Sequence, residues 1–365
     1  MSKSLLLLGG VLPALQLLRR AQKYTDKIHI ISQSNDVIVY SRYGKKFSYD
    51  SPEECLHLIQ EWINENSEQA SEWLVIPCSE FFVQYIEEFR EYNFDVFAPS
   101  SETLDIFYDK SALYTWLDSL DVNIAEFKQL HDPLDFSDSK QYIVKCAKAS
   151  DEYNPPFKTK IIEQQAHLYS IRNMIPTQFW GNFVIQRLFD NNQSISYGGV
   201  WISGKEVASV IAEQVRQYPQ GITSHTVLAT DKQDIAIITE AMSKIAANTR
   251  LHGFIELEFI KNESGLYPID LNPRLWGWSN FLFYNFPQLP STIMNVIPTD
   301  PLVSAHVISW SNVWRDLPAI IKTNQSIYLK IESITSLLKV SKKDFINWRD
   351  IKPEFSSFLR KIKRR

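Results

Sequence analysis

The most regular alternation of hydrophobic and polar positions lies at residues 253–277, with the sequence GFIELEFIKNESGLYPIDLNPRLWG. Apolar residues at the odd positions of 255–259 alternate with Glu256 and Glu258, which is the period of a β-strand with one buried face. A polar turn at 261–265 separates this strand from a second one. The pattern therefore predicts a β-hairpin.

Acidic and amide side chains collect on one face of this predicted hairpin. An even register would bring Glu256 and Glu258 beside Asp270 and Asn272 of the second strand. Like charges that face each other across strands are destabilising, so the cluster calls for a cation, and an all-oxygen ligand set suits Mg²⁺. Arg274 could add a fork for a phosphate or carboxylate. A hairpin with solvated surface acids is the alternative interpretation.

The run DLNPR at 270–274, followed by Trp276 and Gly277, closely resembles the metal-binding end of the ATP-grasp superfamily. In that superfamily an acidic residue on one strand and an acid-x-Asn-Pro-Arg run on the next hold magnesium against the ATP phosphates. The resemblance implies that Glu258, Asp270 and Asn272 bind one or two Mg²⁺ ions, with Mn²⁺ as an alternative.

Composition excludes several classes of protein. The net charge of −4 gives no global electrostatic case for a nucleic-acid partner. A hydrophobic content of 44% over 365 residues is typical of a globular protein of two or three domains. The cysteines, at positions 55, 78 and 146, lack metal-binding spacing and predict reduced thiols.

A leucine-rich run at 5–18 is similar to a secretory signal, but no small-residue cleavage site follows it. Gly9, Gly10 and Pro13 interrupt the run, and it is too short to span a bilayer. We therefore expect a cytoplasmic protein.

The first hundred residues alternate between strand and helix patterns, which is typical of an open parallel sheet. The predicted strands are 5–8, 28–32, 73–77 and 95–98, and the predicted helices are 12–23, 52–66 and 79–92. Near residue 100 the pattern changes. The predicted elements that follow are helices at 110–120 and 231–251, strands at 142–145 and 183–188, and a polar loop at 148–159.

The ATP-grasp resemblance also implies nucleotide contacts. Lys145, at the end of a strand, matches the lysine that reaches an ATP phosphate, although Cys146 stands where the family has proline. The loop at 148–159 takes the place of the family's phosphate-covering lid but has no glycine. Lys110 matches another basic residue directed at ATP.

Two further segments resemble functional parts of the family. In the strand at 183–188, Gln186 would hydrogen-bond the adenine edge and the backbone of Leu188 would contact the ring. The acid that commonly holds the ribose is replaced by the run at 190–194. Arg216 resembles a residue near the transferred phosphate, and the resemblance assigns a catalytic role to Arg216, Lys145 and Arg274. His225 is expected to be structural.

The tail from Lys330 onward contains 11 basic and 4 acidic residues, a local charge of +7. Apolar residues at 355, 358, 359 and 362 fall at helical spacing among these basic residues. A basic amphipathic helix of this kind predicts peripheral contact with an anionic inner membrane. A packed terminal helix with a solvated end is the alternative.

The resemblance implies an α/β fold class, with an N-terminal Rossmann-like (pre-ATP-grasp) domain followed by a two-lobed α+β ATP-grasp fold. The predicted domains are the Rossmann-like domain at 1–100, a small lobe with the phosphate lid at 101–190, a large lobe with the metal site at 191–300, and a C-terminal extension with a basic helical tail at 301–365.

Within the superfamily the chain is most similar to the carbamoyl-phosphate-synthase-large-chain-like carboxylate–amine ligases. This similarity implies amide formation from a small-molecule carboxylate and an amine, such as an amino acid or a sugar acid, through an acyl phosphate with ADP and phosphate as products. Two alternatives remain open. One is an ATP-grasp enzyme with another phosphoryl acceptor, and the other is a non-catalytic nucleotide-binding module docked at the membrane.

Overall fold

The computed structural model describes residues 3–136, 141–148, 153, 155–189, 193–219, 221–294, 302–322 and 326–356. These residues form three sheets with helices packed against them, which confirms the predicted α/β class.

The first sheet is parallel throughout, with the strand order β3-β2-β1-β4-β5. Its strands are β1 (Ser4–Leu8), β2 (Ile28–Gln33), β3 (Lys45–Tyr49), β4 (Trp73–Pro77) and β5 (Asp95–Val96). The helices connected with it are α1 (Leu12–Ala21), α2 (Pro52–Asn66), α3 (Glu80–Val83) and α4 (Ile86–Glu91). Strand β3 was not predicted, because its burial is partial and its sequence is largely polar.

The second sheet is antiparallel, with the order β6-β9-β7-β8, and two helices lead into it. Helices α5 (Ser101–Tyr108) and α6 (Lys110–Ser119) precede its strands β6 (Phe127–Gln129), β7 (Tyr142–Cys146), β8 (Thr159–Ile162) and β9 (Phe183–Arg187), and α7 (Gln165–Met174) lies between β8 and β9. Helix α6 begins sharply because Asp109 Oδ1 accepts hydrogen bonds from the backbone N–H groups of Ser111 (2.9 Å) and Ala112 (3.2 Å).

The third sheet is the largest, with the order β14-β13-β10-β11-β12-β15-β16. Its strands are β10 (Gln193–Ile202), β11 (Lys205–Gln217), β12 (Thr223–Leu228), β13 (Gly253–Asn262), β14 (Gly265–Asn272), β15 (Ser309–Asn312) and β16 (Lys342–Asp344). The helices of this part are α8 (Lys232–Asn248), α9 (Asn280–Asn285), α10 (Leu289–Ile293), α11 (Val313–Lys322) and α12 (Ile327–Lys339). Strands β15 and β16 come from the segment predicted as a C-terminal extension, so that segment adds to the sheet that carries the metal hairpin.

The two faces of β13 pack against different parts of the structure. Ile255, Leu257 and Phe259 pack in one apolar cluster with α8, as their odd-numbered spacing predicts. Phe254 points the other way, into a cluster that also contains α1 of the first sheet and Trp276. The acidic positions of β13 therefore face the first domain rather than α8.

A buried ion network attaches the C-terminal segment to the first domain. Arg19, on α1, donates from Nε to Asp350 (2.9 Å) and from Nη1 and Nη2 to the two carboxylate oxygens of Glu354 (2.7 and 2.9 Å). Asp350 also accepts from the Ser41 hydroxyl at 2.8 Å and from the Arg42 backbone N–H at 2.9 Å. Because every charge in this network has partners, its burial is tolerated.

Gly253 marks the closest approach between the first domain and the large sheet. Its φ of +101° lies in the left-handed region, and a Cβ atom there would stand 2.6 Å from the carbonyl oxygen of Phe97. We expect Gly253→Ala to lower the free energy of unfolding by about 2–3 kcal/mol, because backbone strain and a backbone clash act together. Urea unfolding measures this loss.

Gly204→Ala is the matched control. Gly204 has a similar φ of +83°, but its Cβ would meet only the flexible Arg250 side chain, at 3.6 Å. It should cost about 1 kcal/mol from strain alone. Equal losses in the two variants would contradict the role given to the Phe97 contact.

Candidate active site

The β13–β14 hairpin places four polar side chains on one face. Glu256 pairs with Asn272 and Glu258 pairs with Asp270, so the even register predicted from the sequence is present. The register shifts after Glu258, where Ile269 is an extra residue on β14. Such a bulge re-aims neighbouring side chains.

Hydrogen bonds tie these side chains together. Asn272 Nδ2 donates to Glu256 Oε2 at 3.1 Å and to Glu258 Oε1 at 3.0 Å. Trp278 Nε1 donates to the other oxygen of Glu256 at 2.6 Å, and Arg274 Nη2 donates to Asn272 Oδ1 at 3.0 Å. The amide of Asn272 thus separates two carboxylates and is itself oriented by an arginine.

Burial makes the negative charge of this cluster costly. Burial, followed by repulsion from Glu258, raises the pKa of Glu256 well above its ordinary value. Burial and the nearby Asp270 raise the pKa of Glu258 to about 7. Both pKa values are raised because the carboxylates are buried close together without enough neighbouring positive charge. A divalent cation would supply that charge and lower both pKa values.

The donor set fits magnesium held partly by a nucleotide. Among the described residues, no three His, Cys, Asp or Glu side chains converge as a complete metal site. Two carboxylates and an amide, from Glu258, Asp270 and Asn272, are nevertheless the partial oxygen set that Mg²⁺ usually takes when phosphate oxygens and water complete its shell.

Lys110 lies beside this cluster at the first position of α6. Its ammonium group forms an ion pair with Asp270 Oδ1. Burial opposes the charge on Lys110, but Asp270 outweighs burial and raises the lysine pKa. Lys110 therefore brings a positive charge to the face where the cation is expected.

Lys145 and Gln186 are the residues of the second sheet that lie near the hairpin cluster. Lys145 Nζ donates to Gln186 Oε1 at 2.9 Å, from neighbouring strands β7 and β9. Burial, and then repulsion from Lys110, lowers the pKa of Lys145 to about 8. The Tyr114 hydroxyl joins the two sheets, because it contacts Gln186 Oε1 at 3.3 Å and donates to the bulge carbonyl of Ile269 at 2.8 Å.

The two predicted adenine contacts, Gln186 and Leu188, differ in the hydrogen-bonding groups that are available to a ligand. Gln186 Nε2 is buried and has no hydrogen-bond partner among the described residues, so it can donate to a ligand. The backbone N–H of Leu188 already donates to the Gln141 carbonyl at 2.8 Å, which leaves only its carbonyl to meet a base.

Arg216 is held away from this cluster. Its Nε and Nη2 atoms donate to the two carboxylate oxygens of Asp316 at 2.8 and 2.6 Å, and Nη2 also donates to His225 Nδ1 at 2.5 Å. Asp316 lies on α11 and is fully buried. Burial and then Arg216 lower the pKa of His225 to about 4, so this ring is neutral at pH 7. These contacts give Arg216 a structural role, and its catalytic role stays a prediction.

A cavity of about 340 Å³ opens beside the hairpin. Glu258 and Arg274 line one side, Cys78 to Glu80 of the first domain line another, and Arg315 of α11 closes a third. The first domain thus forms a wall of the candidate active site.

Sequence reasoning missed three residues of the site. Tyr114 and Arg315 each sit in an amphipathic helix, and nothing in their local pattern distinguishes them from core or surface positions. Trp278 follows the recognised run by four residues and gives no signal of its own. Their roles arise only from packing between distant segments.

Several predicted features lie outside the described residues. They are positions 149–152 and 154 of the predicted lid, positions 190–192 of the ribose-side run, and positions 357–365 of the basic tail. In the part of the chain that is described, no helix is long and apolar enough to cross a membrane.

Comparisons with known proteins identify the fold. No family model and no curated protein sequence matches the chain. Biotin carboxylase from Campylobacter jejuni, in a β,γ-ATP complex, superposes with a TM-score of 0.64 at 17% identity, over 83% of this chain and 74% of that one.

Two further solved structures agree with that result. N5-carboxyaminoimidazole ribonucleotide synthetase from Thermus thermophilus has a TM-score of 0.62 at 13% identity, over 82% of this chain and 79% of its own. The biotin carboxylase domain of 2-oxoglutarate carboxylase from Hydrogenobacter thermophilus, in complex with MgADP and bicarbonate, has a TM-score of 0.63 at 11% identity, over 83% and 73%. The chain therefore has the ATP-grasp fold.

The structural role of Arg216 predicts a large loss of stability. Arg216→Ala leaves Asp316 buried without its charge partner and should lower the free energy of unfolding by about 3–5 kcal/mol. A second substitution, Asp316→Asn, should recover part of that loss, and a double-mutant cycle in urea measures the coupling.

Lys244→Ala is the control for the Arg216 measurement. It removes an exposed ion pair with Glu240 and should cost less than about 1 kcal/mol. Strictly additive effects of the Arg216 and Asp316 substitutions would show that the pair does not act as a unit.

Proposed function

We propose that this protein is an ATP-dependent carboxylate–amine ligase that forms an amide through an acyl phosphate, with ADP and phosphate as products. The observation that carries the proposal is the convergence of Glu258, Asp270 and Asn272 with Lys110 and Lys145 in an ATP-grasp fold. Oxygen ligands and paired lysines on one face are what a magnesium nucleotide requires.

The hairpin would hold the metal. Glu258, Asp270 and Asn272 would bind one or two Mg²⁺ ions, or Mn²⁺ in their place. When bound, such an ion neutralises the phosphate charge. Asn272 Oδ1 accepts a hydrogen bond from Arg274, and the second lone pair of this oxygen would bind the ion.

The lysines would bind the phosphates and Gln186 the base. Among the described residues Lys145 Nζ hydrogen-bonds a neutral amide oxygen and forms no ion pair, so turning toward a phosphate would break none of the described ion pairs. An adjacent phosphate raises its pKa above the value of about 8, and the ammonium stays charged at pH 7. Gln186 Nε2 supplies a free donor for an adenine acceptor.

The chemistry follows from these positions. A carboxylate oxygen attacks the γ-phosphorus, the bond to the β,γ-bridging oxygen breaks, and ADP leaves. The amine nitrogen then attacks the acyl carbon, phosphate departs with the C–O electron pair, and the nitrogen loses a proton. Arg274 lines the cavity beside the hairpin, and it would stabilise the negative charge that develops on the transferred group.

The domain assignment belongs to the same proposal. Residues 1–100, with their parallel sheet, form a Rossmann-like pre-ATP-grasp domain, 101–190 the small lobe, 191–300 the large lobe and 301–365 a C-terminal extension. The Arg19 network supports close attachment of the extension to the first domain. The protein acts in the cytoplasm on ATP, a small-molecule carboxylate such as a sugar acid, and an amine such as an amino acid.

A second candidate function is carboxylation, in which bicarbonate accepts the phosphoryl group. It is favoured by the fold neighbour solved with MgADP and bicarbonate. A non-catalytic module docked at the membrane through its basic tail is the third candidate.

The metal ligands generate one test. Asp270→Asn and Asn272→Ala should each reduce ADP release below about one hundredth of the parent rate, because the first removes a negative charge from the ligand set and the second removes the amide oxygen. Circular dichroism and thermal unfolding should show that the fold is kept. Glu240→Gln, at an exposed acid on α8, is the control and should retain full activity. Near-normal turnover in both ligand variants would refute the site.

A substrate screen generates the second test. Phosphate release should require a carboxylate and an amine together when pools of both are offered with Mg²⁺ and ATP. Release with bicarbonate and no amine would select the carboxylase. ATP binding without turnover over the whole panel would select the non-catalytic module.

A further inference from the structure

A second cavity adjoins the one beside the metal hairpin. It has a volume of about 500 Å³ and lies between α1 of the first domain and the segment that follows β16. Leu12 and Arg315 line both cavities, so the two cavities share part of their walls. The volume lies within the range of about 300–1,000 Å³ that is usual for sites of small organic ligands.

Four of the side chains that line this second cavity are aromatic, namely Tyr284, Trp314, Phe345 and Trp348. Trp314 stacks on Phe345 with ring centroids 5.1 Å apart, and Trp314 Nε1 donates to the Phe345 carbonyl at 2.6 Å. Trp348 is also part of the wall, yet 78% of its surface is exposed. Aromatic surface left exposed in a preformed cavity favours an apolar ligand.

The main charged groups of the wall are already satisfied by the protein. Asp344 accepts hydrogen bonds from Asn280, from the Tyr284 hydroxyl at 3.0 Å and from Trp310 Nε1 at 3.0 Å. Arg19 is bound by Asp350 and Glu354 as described above. These groups shape the cavity without requiring an ion from a ligand.

Arg315 is a partly buried charged residue that belongs to the walls of both cavities. Its backbone N–H donates to Asn312 Oδ1 at 3.2 Å, but its guanidinium makes no hydrogen bond or ion pair with any residue that the structure describes. Burial lowers its pKa, with no acid acting against that effect. A half-buried guanidinium without a partner attracts an anion, and a carboxylate matches its fork.

We propose that the acid substrate is an extended organic acid with an aromatic or large apolar tail. Its carboxylate lies in the hairpin cavity between Arg274 and Arg315, and its tail passes Leu12 to fill the cavity lined by Trp314, Phe345 and Trp348. This inference rests on the proposed function and narrows its substrate class. A small anion such as bicarbonate would leave the larger cavity unfilled.

The test compares acids that differ only in their tails. The full chain is incubated with Mg²⁺, ATP and hydroxylamine, whose nitrogen attacks an acyl phosphate to give a hydroxamate and phosphate. The acids are acetate, 3-phenylpropanoate and indole-3-propanoate. The aromatic acids should show a kcat/KM at least about 30-fold above that of acetate, because a ring is buried. Equal kcat/KM values would overturn the proposal.

A pair of variants locates the tail. Trp348→Ala should raise the KM for indole-3-propanoate about 10-fold more than the KM for acetate. Phe355→Ala is the control, since Phe355 is 61% exposed in the same C-terminal segment but does not line the cavity. It should change neither KM. An equal effect of the two substitutions would place the tail elsewhere and overturn the proposal.

A measurement of indole-3-propanoate binding distinguishes failure of this inference from failure of the proposed function. If no acid yields hydroxamate or ADP, the ligase proposal fails, and titration calorimetry of indole-3-propanoate into the protein with MgADP then decides about the cavity. Heat of binding that is lost in Trp348→Ala and kept in Phe355→Ala supports the aromatic cavity. No binding to the parent protein overturns it.

Discussion

Three carboxylates share one face of the β13–β14 hairpin. Burial and their mutual repulsion raise the pKa values of Glu256 and Glu258, so their negative charge is costly. Neighbouring side chains of the candidate site partly compensate this negative charge. Lys110 neutralises Asp270, Asn272 separates Glu256 from Glu258, and the indole of Trp278 holds the deepest oxygen. The register and the hydrogen bonds thus gather these carboxylates with two cationic side chains, Lys110 and Arg274, on one face of the hairpin.

The location of the site follows from how the three sheets meet. The large sheet supplies the ligands, the second sheet supplies Lys145 and Gln186, and Tyr114 on α6 joins both through the bulge carbonyl at Ile269. The first domain closes the side that remains. Groups from both sheets and from the segment after β4 thus lie around one place, so the geometry of the candidate site depends on how these elements pack together.

The sequence could predict whatever depends on short-range periodicity. Alternation at 255–259 and the DLNPR run were sufficient for the hairpin and its register, and the strand and helix patterns of the first hundred residues recovered β1, β2 and β4. It could not predict β3, which is mostly polar. Nor could it predict the role given to Arg315. No described acid pairs with its guanidinium, and this depends on which residues the fold brings near it rather than on the local sequence. The bulge at Ile269 also has no local signature.

The ion network on α1 has a consequence for how the chain is made. Arg19 and Asp350 are 331 positions apart, so at about 5–20 residues per second the arginine emerges from the ribosome some tens of seconds before its acid exists. During synthesis the outer face of α1, with Leu15 beside Arg19, stays uncovered after its own sheet has formed. The buried network is therefore one of the last parts of the structure that can form.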